Sequence, residues 1–160
     1  MGAMRAAPPI SDELAAFLEC GLSITLATRD GDLEPDGATA LAARVHPDRA
    51  HVSVFVHSRD ARDLLRNLER QPEIAGLFDL PSTHRACQLK GTFTGSRKAL
   101  ASERREVMRQ AEAFRTDLEA IGIPKALTAA WKSWPSVAIE FRVAQIFEQT
   151  PGPGTGGLLK

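Results

Sequence analysis

The sequence predicts an α+β fold in which about six short strands form an antiparallel sheet or barrel and three helices lie at its periphery. Two observations carry this prediction. Short segments in which apolar and polar residues alternate recur along the chain, as in half-buried strands. The connections between the first three segments are too short for the crossovers that parallel strands need, so neighbouring strands are expected to be antiparallel.

Six segments show the alternation of strands. In the first, Leu22 and Ile24 face one side until an Asp-Gly pair favours a turn. In the second, Leu41, Ala43 and Val45 are expected to share one side of the strand. The predicted strands span about residues 22–28, 38–45, 52–56, 74–78, 83–91 and 137–147.

Three segments show the apolar spacing of helices. Ser11 is expected to cap the first, which ends near Gly21. The second opens near His57 and ends before Pro72, because proline cannot continue a helix. The third, over residues 100–121, is the longest.

Length and charge limit the classes of function. A chain of 160 residues is expected to form one domain with its own core. Its 20 basic and 20 acidic residues balance, so neither nucleic-acid binding nor attraction to a membrane surface is expected. Two cysteines without CxxC spacing fit a reducing compartment, and no apolar run approaches the ~20 residues of a membrane span. A cytoplasmic protein is therefore expected.

The two ends of the chain differ from its centre in composition. Residues 1–10 contain a repeated methionine near the start, and residues 151–160 are rich in proline and glycine. Both ends are expected to be flexible. The folded domain is expected to span residues 11–150.

The turn after the third predicted strand is a candidate phosphate site. Ser58, Arg59 and Arg62 lie where backbone N–H groups and the positive end of a helix dipole favour an anion. A guanidinium group can also hold a phosphate through two hydrogen bonds. The alternative is that Ser58 caps the helix while the arginines are solvated or pair with Asp60 and Asp63.

A second group of polar residues lies before and on the fifth predicted strand. His84 and Arg85 come first, and alternation sends Gln88 and Lys90 to the face opposite Arg85. Amide and cationic donors suit the carbonyl-rich edge or the phosphate of a planar cofactor. The alternative is an edge strand that uses these residues to stay soluble.

Other signatures are missing or ambiguous. His51 and His57 lie too far apart on one strand to share a metal ion, so no metal site is expected. The sequence contains neither HExxH nor a GxSxG elbow, which argues against zinc and serine hydrolases. Trp131 and Trp134 precede the last strand and could line a pocket or a subunit contact, although for one of the two core packing is at least as good an interpretation.

Taken in order, these residues resemble the flavin-binding split β-barrel proteins, the pyridoxamine 5′-phosphate oxidase-like family. The resemblance covers roughly residues 21–147. The matching segments are Leu22 to Thr28, Ala40 to Val45, His57-Ser58, Asn67-Leu68, Gln71-Pro72-Glu73-Ile74, Arg85, Gln88-Leu89-Lys90-Gly91, Trp131 and Ile139-Glu140-Phe141.

The resemblance implies a six-stranded antiparallel split β-barrel that binds FMN at the interface of a homodimer. The flavin then carries out hydride or electron transfer, so an oxidoreductase on this barrel needs no nucleophilic side chain. Ser58, Arg59 and Arg62 are implied as phosphate ligands, and Arg62 is expected to matter more than Arg59. The other implied cofactor contacts are the backbone of Leu41 and Ala42, then His57, His84, Arg85 and Gln88, and Trp131 as a wall from the partner subunit.

The chain also departs from the family's pattern. Asp63 and Leu64 stand where cations of the phosphate clamp are expected, and the family's Arg-Gln pair becomes Arg85-Ala86. Oxidation of pyridoxamine phosphate itself is therefore not predicted, and the substrate stays unassigned.

Two further classes of protein fit the same barrel. One is a deazaflavin (F420)-dependent reductase. The other is a haem-binding or cofactor-storing protein without enzymatic activity, in which His51, His57 or His84 is an axial ligand.

Overall fold

The computed structural model describes residues 9–159. Its six strands are β1 (Ser23–Arg29), β2 (Pro35–Val45), β3 (His51–His57), β4 (Glu73–Leu80), β5 (Arg85–Lys98) and β6 (Ser136–Glu148). They form a closed barrel in the order β1-β2-β3-β6-β5-β4, and all neighbours are antiparallel. The predicted six-stranded antiparallel barrel of an α+β protein is confirmed.

The helices lie outside the barrel. They are α1 (Asp12–Leu18), α2 (Ala61–Arg70), α3 (Arg104–Ala120) and α4 (Lys125–Thr128), with a 3-10 turn at Ala101–Glu103 before α3. The four-residue helix α4 was not predicted, since it is too short to show an apolar period. Within the described range, no helix has both the length and the apolarity that a membrane span requires.

The barrel interior is filled by the apolar residues that set the predicted alternation. Ile24 and Leu26 of β1 are fully buried, and so is Leu22, the residue before this strand. They belong to one core cluster with Phe78 of β4 and Phe141 of β6. Burying each side chain of this size stabilises the fold by about 1.5–3 kcal/mol. The core therefore accounts for the strand positions that the sequence predicted.

A β-bulge in β2 changes which residues face the core. The register with β3 shifts between Ala40 and Ala42, so Leu41 is an extra residue in the strand. Ala43 packs in the barrel core, whereas Leu41 packs on the outside against α3. The expectation that these two residues share one side was wrong, because the bulge reverses the alternation between them.

The turn between α1 and β1 packs closely against α3. Gly21 has φ +102°, which only glycine adopts without strain, and a Cβ there would lie 2.6 Å from the Cβ of Ala113 in α3. The predicted end of the first helix near Gly21 agrees with this turn. The glycine lets α1, β1 and α3 approach one another closely.

Both ends of the described chain contact the barrel. The N–H of Ile10 donates to the carbonyl of Arg49 at 2.9 Å, and that of Leu159 donates to the carbonyl of Ile146 at 2.8 Å. The first eight residues and the last one lie outside the described range, and so does most of the predicted N-terminal segment. The flexibility expected of residues 1–10 and 151–160 stays a prediction.

Gly91 offers a test of barrel closure, because a Cβ added there would lie 2.1 Å from the carbonyl oxygen of Arg142 on β6. We expect Gly91→Ala to lower the free energy of unfolding by about 1–3 kcal/mol. Gly95→Ala, on the same strand with nothing within 4 Å of its added Cβ, should change it by less than about 0.5 kcal/mol. Urea denaturation measures both, and equal stability of the two variants would contradict the β5–β6 packing.

Candidate functional site

A cavity of about 520 Å³ lies outside the barrel, between β1, β2, the turn after β3, helix α3 and the loop before β6. Its size is in the range of small-molecule sites. The lining residues are Ser23, Thr25, Thr39, Leu41, His57, Arg59, Asp60, Phe114, Ala130, Trp131 and Lys132.

One side of this cavity is a row of hydroxyl groups on the barrel. Ser23 and Thr25 alternate outward on β1, and Thr39 is the cross-strand partner of Thr25 on β2. Each hydroxyl can donate one hydrogen bond and accept others. The row can therefore bind the polar edge of a ligand.

The rest of the lining includes an apolar and aromatic part, to which β2, α3 and the loop before β6 contribute. Leu41, the bulged residue of β2, and Phe114 of α3 are buried in one cluster. The rings of Phe114 and Trp131 are stacked at 19°, with centroids 6.1 Å apart. Trp131 is 44% exposed at the rim of the cavity. These side chains provide a flat surface for a planar ligand.

Helix α3 is attached to the barrel by a buried glutamine. Beyond Ala40, the described part of β2 has no pairing with β1. There the Gln110 side chain takes the place of a strand: it accepts from the N–H of Ala43 at 2.9 Å and donates to the carbonyl of Ala43 at 2.8 Å. Glu19 accepts from the N–H of Val45 at 2.6 Å. Side chains thus complete the open edge of β2 and fix the helix that carries Phe114.

A second attachment lies at the start of α3. The buried Glu103 carboxylate accepts hydrogen bonds from Arg97 and Arg44, each at 2.8 Å, and from the N–H of Leu100 at 2.7 Å. The hydrogen bonds from Arg97 lower the pKa of Glu103 to about 2. The group therefore stays ionised at neutral pH and holds α3 against β2 and β5.

The charged end of the cavity lies at the turn after β3. His57 and Arg59 line it, and the N–H of Arg59 donates to Nδ1 of His57 at 3.2 Å. Lys132 adds a second cation and Asp60 one carboxylate. Arg115 of α3 donates to the carbonyl of Trp131 at 2.5 Å and so ties the loop before β6 to this helix.

Four of the ten residues that the sequence singled out meet at this cavity: Leu41, His57, Arg59 and Trp131. Trp131 lines this cavity from its own chain, and its expected role as a wall from a partner subunit stays a prediction.

Two other predicted residues near this turn do not line the cavity. Ala42 is buried under α3 with Phe55, Val107 and Ala138. Ser58 does not cap α2, which has Asp60 at its N-cap; its hydroxyl donates to the carbonyl of Pro135 at 3.1 Å.

Arg62 also lies outside the cavity, on the exposed face of α2. The geometry therefore favours Arg59 over Arg62 as the arginine that faces a ligand.

The polar residues of β5 lie elsewhere on the barrel. His84 is in the turn before β5 with φ +59°. The guanidinium of Arg85 is 3.0 Å from Glu13 and lies 4.3 Å from the ring centroid of Phe17, so it covers α1. Gln88 pairs with β4 and β6. Because β4 lies between β5 and β1 in the barrel, His84, Arg85 and Gln88 do not line the cavity beside β1 and β2.

The sequence patterns singled out four of the eleven residues that line the cavity. The hydroxyl row of Ser23, Thr25 and Thr39 was visible as the polar half of the strand alternation, and Phe114 as part of the apolar stripe of the third helix. No local sequence pattern predicts that the outer face of β1 and β2 and the Phe114 face of α3 enclose a cavity. That depends on where α3 crosses the barrel.

No protein-family model matches this sequence, and no curated protein does so either. Solved structures share the fold. A Lactobacillus delbrueckii protein proposed to be a pyridoxamine 5′-phosphate oxidase matches with a TM-score of 0.53 and 16% identity, over 87% of this chain and 93% of its own. An F420 reductase matches at 0.52 and 14%, over 82% and 93%. An FMN-binding protein from Syntrophomonas wolfei matches at 0.52 and 13%, over 84% and 83%.

At these identities the comparison concerns the fold. The chain has the split β-barrel fold of the pyridoxamine 5′-phosphate oxidase-like proteins, as the resemblance in its sequence implied. The three similar proteins differ in what their names say they bind. The choice among ligands therefore rests on the cavity itself.

Gln110 tests how this cavity wall is fixed. We expect Gln110→Met, which keeps the volume but leaves the N–H and carbonyl of Ala43 without partners, to lower the free energy of unfolding by about 2–4 kcal/mol. Thr116→Ala, at an exposed position of the same helix, should change it by less than about 0.5 kcal/mol. Chemical denaturation of the two variants provides the comparison, and a stable Gln110→Met protein would show that the helix is held by other contacts.

Proposed function

We propose that this protein is an FMN-binding flavoprotein of the oxidoreductase class, that it is a homodimer, and that its cavity beside α3 holds the flavin. One observation carries the proposal. The cavity combines a flat apolar wall, a row of hydroxyl groups and a cationic end at the turn after β3. Two free cysteines, one of them buried, fit a cytoplasmic protein.

The residues present fit the parts of FMN. Leu41 and Trp131 suit the planar ring, and the hydroxyls of Thr25 and Thr39 suit its polar edge. Arg59, together with Lys132, suits the phosphate. When bound, the flavin supplies hydride or electron transfer. The side chains themselves bind and orient, and the apolar wall excludes water from one face of the site.

The charge of the cavity supports a dimer. Arg59 and Lys132 against Asp60 leave a net charge of +1, whereas a phosphate monoester carries about two negative charges at neutral pH. A second subunit that covers the open rim beside Trp131 would add the missing positive charge. It would also remove an exposed indole from water.

One observation favours a second candidate, haem binding. Of the three histidines considered as axial ligands, His57 lines the cavity, whereas Nδ1 of His51 lies 2.5 Å from Asp48. FMN remains the better fit because both Arg59 and the hydroxyl row face the same cavity.

Arginine variants test the flavin site. We expect the purified protein, or the apoprotein titrated with FMN, to show flavin absorbance rather than that of deazaflavin or haem. Arg59→Ala should weaken FMN binding roughly tenfold to a hundredfold, the cost of a lost charge-assisted hydrogen bond. Arg62→Ala, one turn along on the exposed face of α2, serves as the matched control and should bind like the parent.

Fluorescence titration with FMN gives both dissociation constants. If Arg62→Ala were the more damaging change, the phosphate would lie on α2 and not in the cavity. If FMN failed to bind while deazaflavin or haem did, the flavoprotein assignment itself would fail.

Light scattering tests the dimer. We expect a mass about twice the 17.3 kDa of one chain at micromolar concentration, because the cavity needs further cations. If the protein bound FMN tightly as a monomer, a second subunit would not be needed to supply cations. The assignment of the cavity as the flavin site would then still stand.

A further inference from the structure

A second cavity, of about 450 Å³, adjoins the first. It lies between α3, α4 and the loop before β6. The two cavities share Trp131 and Lys132. None of the sequence motifs or the flavin proposal uses this second space, which we call the α3–α4 groove.

The groove has aromatic walls. Trp131 and Trp134, the only two tryptophans of the chain, both line it. The thioether of Met108, which accepts a hydrogen bond from Ser133 at 3.1 Å, lies on the α3 side. Trp131 and Met108 are 44% and 41% exposed. Indole and thioether surfaces of this kind favour contact with a flat aromatic ring.

The groove is also cationic. Four cations line it, and Glu112 is the one carboxylate among its lining residues. Glu112 is already engaged, because its Oε1 lies 2.6 Å from Nζ of Lys125 and its Oε2 lies 3.7 Å from Arg115. Arg104 and Lys132 have no carboxylate partner within 4 Å in the described part of the chain. Arg104 instead lies 5.9 Å from the ring centroid of Trp134.

We propose that the α3–α4 groove binds a nucleoside phosphate. The base lies against the indole of Trp134 or Trp131, and the phosphate is bound by Arg104 and Lys132. An arginine fork holds a phosphate through two hydrogen bonds, and a lysine adds a point charge. A neutral aromatic ligand would leave both cations unused, and inorganic phosphate alone would leave the indoles unused. Trp131 and Lys132 also line the flavin cavity, whereas Arg104 and Trp134 line the groove and not that cavity, so Arg104 distinguishes the two sites.

Adenosine diphosphate is the probe, and the chain carries its own reporter. Because the protein has two tryptophans and no tyrosine, its intrinsic fluorescence comes from the indoles of Trp131 and Trp134, which both line the groove. We expect ADP to quench this fluorescence saturably. Adenosine should bind at least tenfold more weakly, because it lacks the phosphate. Isothermal titration calorimetry on the same samples measures binding even if stacking leaves the emission unchanged.

Adjacent arginines on α3 provide the matched variants. Arg104→Ala should weaken ADP binding at least tenfold, because a charge-assisted hydrogen bond is lost. Arg105→Ala removes an exposed guanidinium that does not line the groove and should bind ADP like the parent. A thermal melt of each variant confirms that both are folded.

The outcomes separate this inference from the flavin site. ADP binding that depends on Arg104 and not on Arg59 supports the groove, whether or not FMN binds. ADP binding that is lost in Arg59→Ala but kept in Arg104→Ala would place the nucleotide in the first cavity and overturn the inference. Absence of calorimetric binding at millimolar ADP, or equal effects of Arg104→Ala and Arg105→Ala, would overturn it as well.

Discussion

The site depends on how helix α3 is joined to the open edge of β2. Where pairing with β1 stops, the amide of Gln110 makes both hydrogen bonds that a neighbouring strand would make to Ala43. These bonds are buried, so breaking them leaves backbone groups without water or protein partners. The same helix carries Phe114 toward the barrel and Met108 toward α4. Both cavities depend on the position of this helix, which Gln110 fixes at the edge of β2 and Glu103 fixes at the start of α3.

The two faces of the barrel strands differ in role: inward side chains stabilise the fold, and outward side chains line the cavity. Inward side chains such as Ile24 and Leu26 form the core, and the outward residues between and beside them, Ser23 and Thr25, line the cavity. A substitution on the outer row therefore alters the cavity lining without removing a contact of the barrel core. The bulge at Leu41 adds an apolar residue to this outer surface and gives the cavity its flat wall.

Much of the fold could be predicted from the sequence, because strand alternation and helix spacing are local. The turn with His57 and Arg59 was found for the same reason: it joins two elements that are adjacent in the chain. Gln88 and Arg85 were expected at the same site and lie across the barrel, since the order in which six strands close is not encoded in any short segment. The bulge and the α3 crossing are tertiary features that alternation alone does not reveal.

The proposed flavin site places a planar, anionic-tailed cofactor between the outer face of the barrel and α3. A crystal structure of the protein grown with FMN tests it most directly. We expect flavin density between Leu41 and Trp131, with the phosphate at Arg59 in the turn after β3. Flavin density on the β5 side near Gln88, or an ordered cavity that contains only water at saturating FMN, would contradict it.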